Sequence, residues 1–101
     1  MLSASGKQQL DDKGYIVLPG LIGSERLESL RIRIEELLAQ EGEAAGSEFK
    51  QEANAQRLAN LVNKGEIFAR VIETPEVLGC MRHVLGNRFK LSSLNVRSAD
   101  P

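Results

Sequence analysis

Phe89-Lys-Leu-Ser-Ser-Leu-Asn-Val-Arg-Ser-Ala-Asp-Pro101 reads as a long strand running into a turn, and its pattern decides the architecture around it. Phe89 and Leu91 are apolar on one face, but the same face continues as Ser93, Asn95 and Arg97. Leu94 and Val96 are apolar on the other face, after Lys90 and Ser92. Alternation that changes face marks a bulge or a change of neighbours. It also fits a strand whose odd-numbered face leaves a packed core and enters a polar cavity. On that reading Ser93, Asn95 and Arg97 are the candidate site residues. The plainer alternative is a hydrogen-bonded edge strand.

The segments before it are mostly helical. Residues 4–13 form a short polar helix stopped by Gly14. Tyr15-Ile-Val-Leu18 is aromatic and β-branched and is closed by Pro19-Gly20, which reads as a short strand and turn. Ser24 is a good N-cap for a helix to about Gln40, with Glu25 in its first turn. Its apolar stripe is Leu27, Leu30, Ile34, Leu37 and Leu38. The opposite face pairs Glu28 with Arg31, Arg31 with Glu35, and Arg33 with Glu36. Ile32 falls off the stripe and is expected to be exposed, as isolated aliphatics often are.

Glu41-Gly-Glu-Ala-Ala-Gly-Ser47 breaks the period, and residues 41–56 are expected to be a mobile loop. Arg57-Leu-Ala-Asn-Leu-Val62 is either a short strand or a helical lead-in. Residues 66–73 give a short amphipathic helix through Ile67, Phe68, Val71 and Ile72. Thr74-Pro75-Glu76 starts another, with a capping hydroxyl, proline at the first helical position and then an acid. That helix presents Val77, Leu78, Met81, Val84 and Leu85 as one stripe and stops at Gly86. The fold class is α+β and helix-rich, about four helices with two or three strands, in one small domain over 1–101.

Composition narrows the function. The 101 residues are 42% hydrophobic, with thirteen Lys plus Arg against fourteen Asp plus Glu. This is a globular balance. It gives no concentrated basic surface of the kind nucleic acid or an anionic membrane would select. No apolar run approaches the roughly 20 residues that span a bilayer, and the N-terminus lacks the apolar core of a signal peptide. Cys80 is the single cysteine. A cytoplasmic, reducing setting fits.

Few residues offer chemistry by themselves. His83 is the sole histidine. It lies opposite the Val77/Met81/Val84 stripe, so a solvent-exposed imidazole without function is expected. Cys80 has no neighbouring base and reads as a core-edge thiol. Lys64-Gly65-Glu66 is a turn into a helix; it lacks the glycine spacing of a phosphate loop.

Two segments in this order resemble the phytanoyl-CoA dioxygenase family of Fe(II)/2-oxoglutarate oxygenases. One is Lys13-Gly-Tyr-Ile-Val-Leu-Pro-Gly-Leu-Ile22 with the helix after it. The other runs from Asn63-Lys-Gly-Glu-Ile-Phe-Ala-Arg70 through Thr74-Pro-Glu-Val-Leu78 and His83-Val-Leu-Gly86 to Leu94-Asn-Val-Arg-Ser-Ala99. The resemblance implies the helix-rich N-terminal part of a jelly roll (a double-stranded β-helix). It also implies iron held by His-x-Asp and a distal His, a facial triad with positions open for 2-oxoglutarate and oxygen. An arginine would pair with the cosubstrate carboxylate.

In the family the His-x-Asp follows just after the turn at Pro101. This chain shows no such motif: His83 precedes Val84 and Leu85, and Asp100 has no histidine two positions before it. No catalytic or metal-ligating residue is therefore assigned. Fe(II) and 2-oxoglutarate are implied for the family but not for this chain alone.

Two readings follow, and whether the chain alone is an enzyme stays open between them. The first is the N-terminal scaffold segment of such an oxygenase, inactive as isolated. The second is a free-standing module derived from it, either a homodimer joined through residues 89–97 or a small-molecule binder with a remnant pocket. Half a jelly roll leaves strand edges and apolar surface that a second copy would cover.

Overall fold

The computed structural model describes residues 2–98. Four helices and two short strands occur among them: α1 (Ala4–Lys13), α2 (Ser24–Glu41), β1 (Arg57–Leu58), α3 (Glu66–Ile72), α4 (Pro75–Leu85) and β2 (Val96–Arg97). Helices dominate this α+β arrangement. The described residues divide into two compact units, one of residues 2–21 with 70–90, the other of residues 22–69 with 91–98. The division falls inside α3. The turn expected at Ala99-Asp100-Pro101 lies outside the described residues.

The first unit pairs α1 with α4. α1 is polar and is fixed at both ends by caps. Ser3 Oγ accepts from Gly6 N at 3.0 Å, and Gly14 takes φ 78° while its N–H returns to Leu10 O. Such caps each stabilise a helix by about 1 kcal/mol. Gly6 is the buried position of α1. A Cβ there would stand 2.7 Å from Leu2 Cδ1 and 3.1 Å from Ile16 Cδ1, so the missing side chain makes room for both.

Tyr15–Leu18 is not a strand but an irregular segment. β-branched and aromatic residues favour a pleated, half-buried surface. Without a neighbouring strand that preference has nothing to act on, and Tyr15 and Val17 are exposed.

At the α3–α4 junction Pro75 takes the first helical position as expected. Thr74 points the other way. Its hydroxyl donates to Arg70 O and Val71 O at 3.1 and 2.8 Å, closing the end of α3 and leaving the α4 N–H groups uncapped. The inward face of α4 is also rotated from the expected stripe. Cys80 is buried, while Met81, Val84 and Leu85 are exposed. The reason lies in Gly79 and His83: one residue without a side chain beside Leu2 and one ring bonded to Asp11 suit a close approach to a polar helix better than Val84 and Leu85 do.

The second unit holds the larger core: Leu30, Leu37, Leu58, Ala59, Leu61 and Phe68. α2 supplies the first two from its apolar stripe. Ile34 and Leu38 are half-buried, and Leu27, in the first turn, is exposed along with Ile32. Gly23, not Ser24, holds the N-cap position, without a side-chain bond. The outer face carries the expected ion pairs Arg31–Glu28, Arg31–Glu35 and Arg33–Glu36.

β1 and β2 run antiparallel, with Arg57 opposite Arg97 and Leu58 opposite Val96. The ladder continues one step outward, where Ser98 N donates to Gln56 O and Gln56 N to Ser98 Oγ, each at 2.8 Å. The long strand expected over 89–97 is therefore only Val96–Arg97. Residues 89–95 are irregular, because β1 is two residues long and a strand persists only where it is paired.

Leu58 is 0% exposed and central to this core. Leu58→Ala is expected to cost about 2–5 kcal/mol, read as a lowered urea midpoint at unchanged slope.

Candidate functional site

Ser93 and Asn95 come together on one surface of the second unit. They line a cavity of about 420 Å³ with Leu91, Leu94, Phe49 and Asn60. The strand-like alternation of sequence is replaced by a loop held at one point, where Leu61 N donates to Leu94 O at 3.1 Å. Asn95 Nδ2 lies 3.5 Å from Ser93 Oγ. The wall therefore offers neutral hydrogen-bonding groups beside apolar ones, the usual composition of a small-molecule pocket.

Asn60 holds a left-handed backbone, φ 56° and ψ 40°, steadied by Asn63 Nδ2 donating to its Oδ1 at 2.7 Å. Asparagine is among the few residues that tolerate this conformation. Sequence reasoning missed Asn60 and Phe49. The only signal was an asparagine interrupting the apolar run 58–62.

Arg97 is directed elsewhere. Its Nη2 and Nε lie 3.3 and 3.4 Å from the Glu52 carboxylate. The same carboxylate binds Arg57 Nη1, so Glu52 bridges two arginines that face each other across the ladder. Like charges directly opposite weaken a sheet. Hydrogen bonds from Arg97 and then Arg57 hold the Glu52 carboxyl below its ordinary pKa. The Arg57 guanidinium also lies 5.8 Å from the centre of the Phe49 ring, within cation–π reach.

Glu48 borders the cavity and belongs to a second clamp. Lys64 Nζ lies 2.7 Å from Glu48 and 2.8 Å from Glu41, the last residue of α2. The Lys64 carbonyl accepts from Arg33 Nη2 and Nε at 2.9 and 3.1 Å. Burial disfavours the Lys64 ammonium, but its bonds to Glu41 and Glu48 outweigh this and raise its pKa. In return the Lys64 hydrogen bond lowers that of Glu48. The segment 41–56 is tied down further by Gln51 Nε2, which donates to Glu43 O and Ala45 O. Lys64-Gly65-Glu66 is thus a turn into α3, with a structural role for its lysine.

His83 is not the exposed imidazole expected from sequence. Its side chain is 21% exposed, and its Nε2 lies 2.7 Å from Asp11 Oδ1, joining α4 to α1 within the first unit. The α4 rotation described above turns the ring inward.

The donor set does not fit a facial triad. His83 is the only imidazole in the sequence and already bonds Asp11. Among the described residues no group of three His, Cys, Asp or Glu side chains converges to hold a metal ion. No described helix is long and apolar enough to cross a membrane.

The model of the phytanoyl-CoA dioxygenase (PhyH) family matches residues 10–97. The chain therefore belongs to the phytanoyl-CoA dioxygenase family. No curated protein and no solved structure matches it.

The lowered Glu48 pKa has a pH consequence. A carboxyl with a depressed folded pKa stabilises the fold above its unfolded pKa and loses that contribution as pH falls through the folded value. Lys64→Met is expected to lower stability at neutral pH and to make its loss on acidification shallower. Urea midpoints measured at neutral and acidic pH check this, Glu28 and Glu52 supplying the acid sensitivity that remains.

Proposed function

We propose that residues 10–97 are the scaffold that leads into the metal centre of an Fe(II)/2-oxoglutarate oxygenase, before the jelly-roll strand that carries the family's His-x-Asp. The family match over that stretch carries this reading. In it, the helices position the segment 91–97, and Ser93 and Asn95 face the substrate or cosubstrate. Arg97 orders the ladder beneath them through Glu52. The iron ligands come from outside these residues, and the chain by itself does not oxidise a substrate. A cytoplasmic location accompanies this reading.

The donor chemistry supports the inactivity of the isolated chain. Iron in this chemistry needs three nitrogen and carboxylate donors on one face of the ion, and this chain has a single histidine. Anaerobic addition of Fe(II) and 2-oxoglutarate is expected to give no metal-to-ligand charge-transfer absorption. A band that appears with both additives and is lost on His83→Ala overturns the reading.

A second reading is a homodimeric module joined through residues 89–97. The observation that favours it is the unused backbone of the loop. Among the described residues, positions 89–95 contribute only the Leu94 carbonyl to backbone hydrogen bonds. Such groups are open to pairing with another chain. Light scattering at micromolar concentration is expected to show a dimer on this reading, and a monomer alone counts against it.

A further inference from the structure

The cavity between α1 and α4 differs in charge from the two in the second unit. It measures about 300 Å³ and is lined by Leu2, Lys7, Gly79, Arg82 and His83. The other two each have carboxylates in their walls, Glu43 and Glu52 in one and Glu48 in the other. This one has none. Its charged lining is wholly basic, in a chain whose net charge is −1.

The neighbouring acids are otherwise engaged. Asp11 lies beyond the ring, bonded to His83 Nε2, and does not line the cavity. Asp12 accepts from Gln8 Nε2 at 2.8 Å. Neither Lys7 nor Arg82 has an ion-pair partner among the described residues. Two cations from positions 75 apart in sequence thus converge on one hollow without a counter-charge of their own. Gly79 keeps its floor open, since no side chain projects from the middle of that face of α4.

We propose that this cavity is a binding site for a small phosphate-like dianion, either inorganic phosphate or the phosphoryl group of a small phosphomonoester. Lys7 supplies a mobile ammonium and Arg82 a planar fork that matches two phosphoryl oxygens. His83 forms the back wall, its ring held from behind by the bond to Asp11. The site goes beyond the oxygenase reading: Lys7 precedes the stretch matched by the family, residues 10–97.

The test is a titration of the full chain with inorganic phosphate at pH 7.5 and constant ionic strength, followed by amide chemical shifts. Saturable shifts at Lys7, Gly79, Arg82 and His83 are expected, with none when chloride replaces phosphate. Lys7→Ala and Arg82→Ala should each weaken binding about tenfold, the scale of one hydrogen bond to a charged group, and the double variant should abolish it. Both side chains are exposed, so the variants should keep wild-type spectra elsewhere. Asp11→Asn, which removes a neighbouring negative charge but keeps an amide oxygen to accept from His83 Nε2, should leave binding equal or tighter.

A parallel titration with glycerol phosphate separates the sources. Tighter binding than inorganic phosphate identifies a phosphomonoester ligand, and weaker binding identifies the free ion. Shifts that do not saturate, or a folded double variant that binds as the wild type does, overturn the site.

Discussion

The second unit depends most on the way Lys64 is held. One residue serves through two different groups. Its carbonyl is gripped by the Arg33 fork from the middle of α2, and its ammonium reaches Glu41 at the end of α2 and Glu48 in the turn beyond. The start of α3 is therefore referenced to two points on α2 about two helical turns apart, and the connecting turn is referenced to the same residue. Charge-assisted bonds of this kind are short and directional. Apolar burial alone would leave the register of α3 against α2 free to slide, because Leu61 and Phe68 demand only cover.

The small sheet depends on a comparable arrangement. A two-residue ladder brings little hydrogen bonding, and here it sets Arg57 opposite Arg97. Glu52 turns that liability into a tie by accepting from both. The Ser98–Gln56 bonds add a step at the open end, and Leu94 adds one toward the 3-10 turn at 61–63. The loop 91–95 runs into the ladder at Val96 and is tied by its backbone at Leu94, and it presents Ser93 and Asn95 to the cavity. The loop's shape thus follows from what brackets it more than from its own sequence.

Local signals in the sequence were readable where they needed no distant partner. The bounds of α1, the proline start of α4 and the pairs along α2 all follow from interactions within one or two turns. The strands were not, since Tyr15–Leu18 and Phe89–Asn95 have strand-forming composition but find nothing to pair with. The facing of α4 failed for a related reason. Periodicity locates an apolar stripe, yet the packed face was chosen by small residues and by a polar bond to Asp11, 72 positions away. Of the candidate site, Ser93 and Asn95 were legible from their alternation, whereas Asn60 and Phe49 arrive from elsewhere in the chain. Arg97 shares their sequence face but is drawn off by Glu52.

The burial of Cys80 has a practical corollary. It is the chain's single thiol, 4% exposed on the packed side of α4. An alkylating reagent meets this sulfur only when α4 swings away from its neighbours, so the speed of labelling counts those excursions. The protein carries, without any engineering, a chemical reporter of motion at α4, the helix from which His83 reaches Asp11.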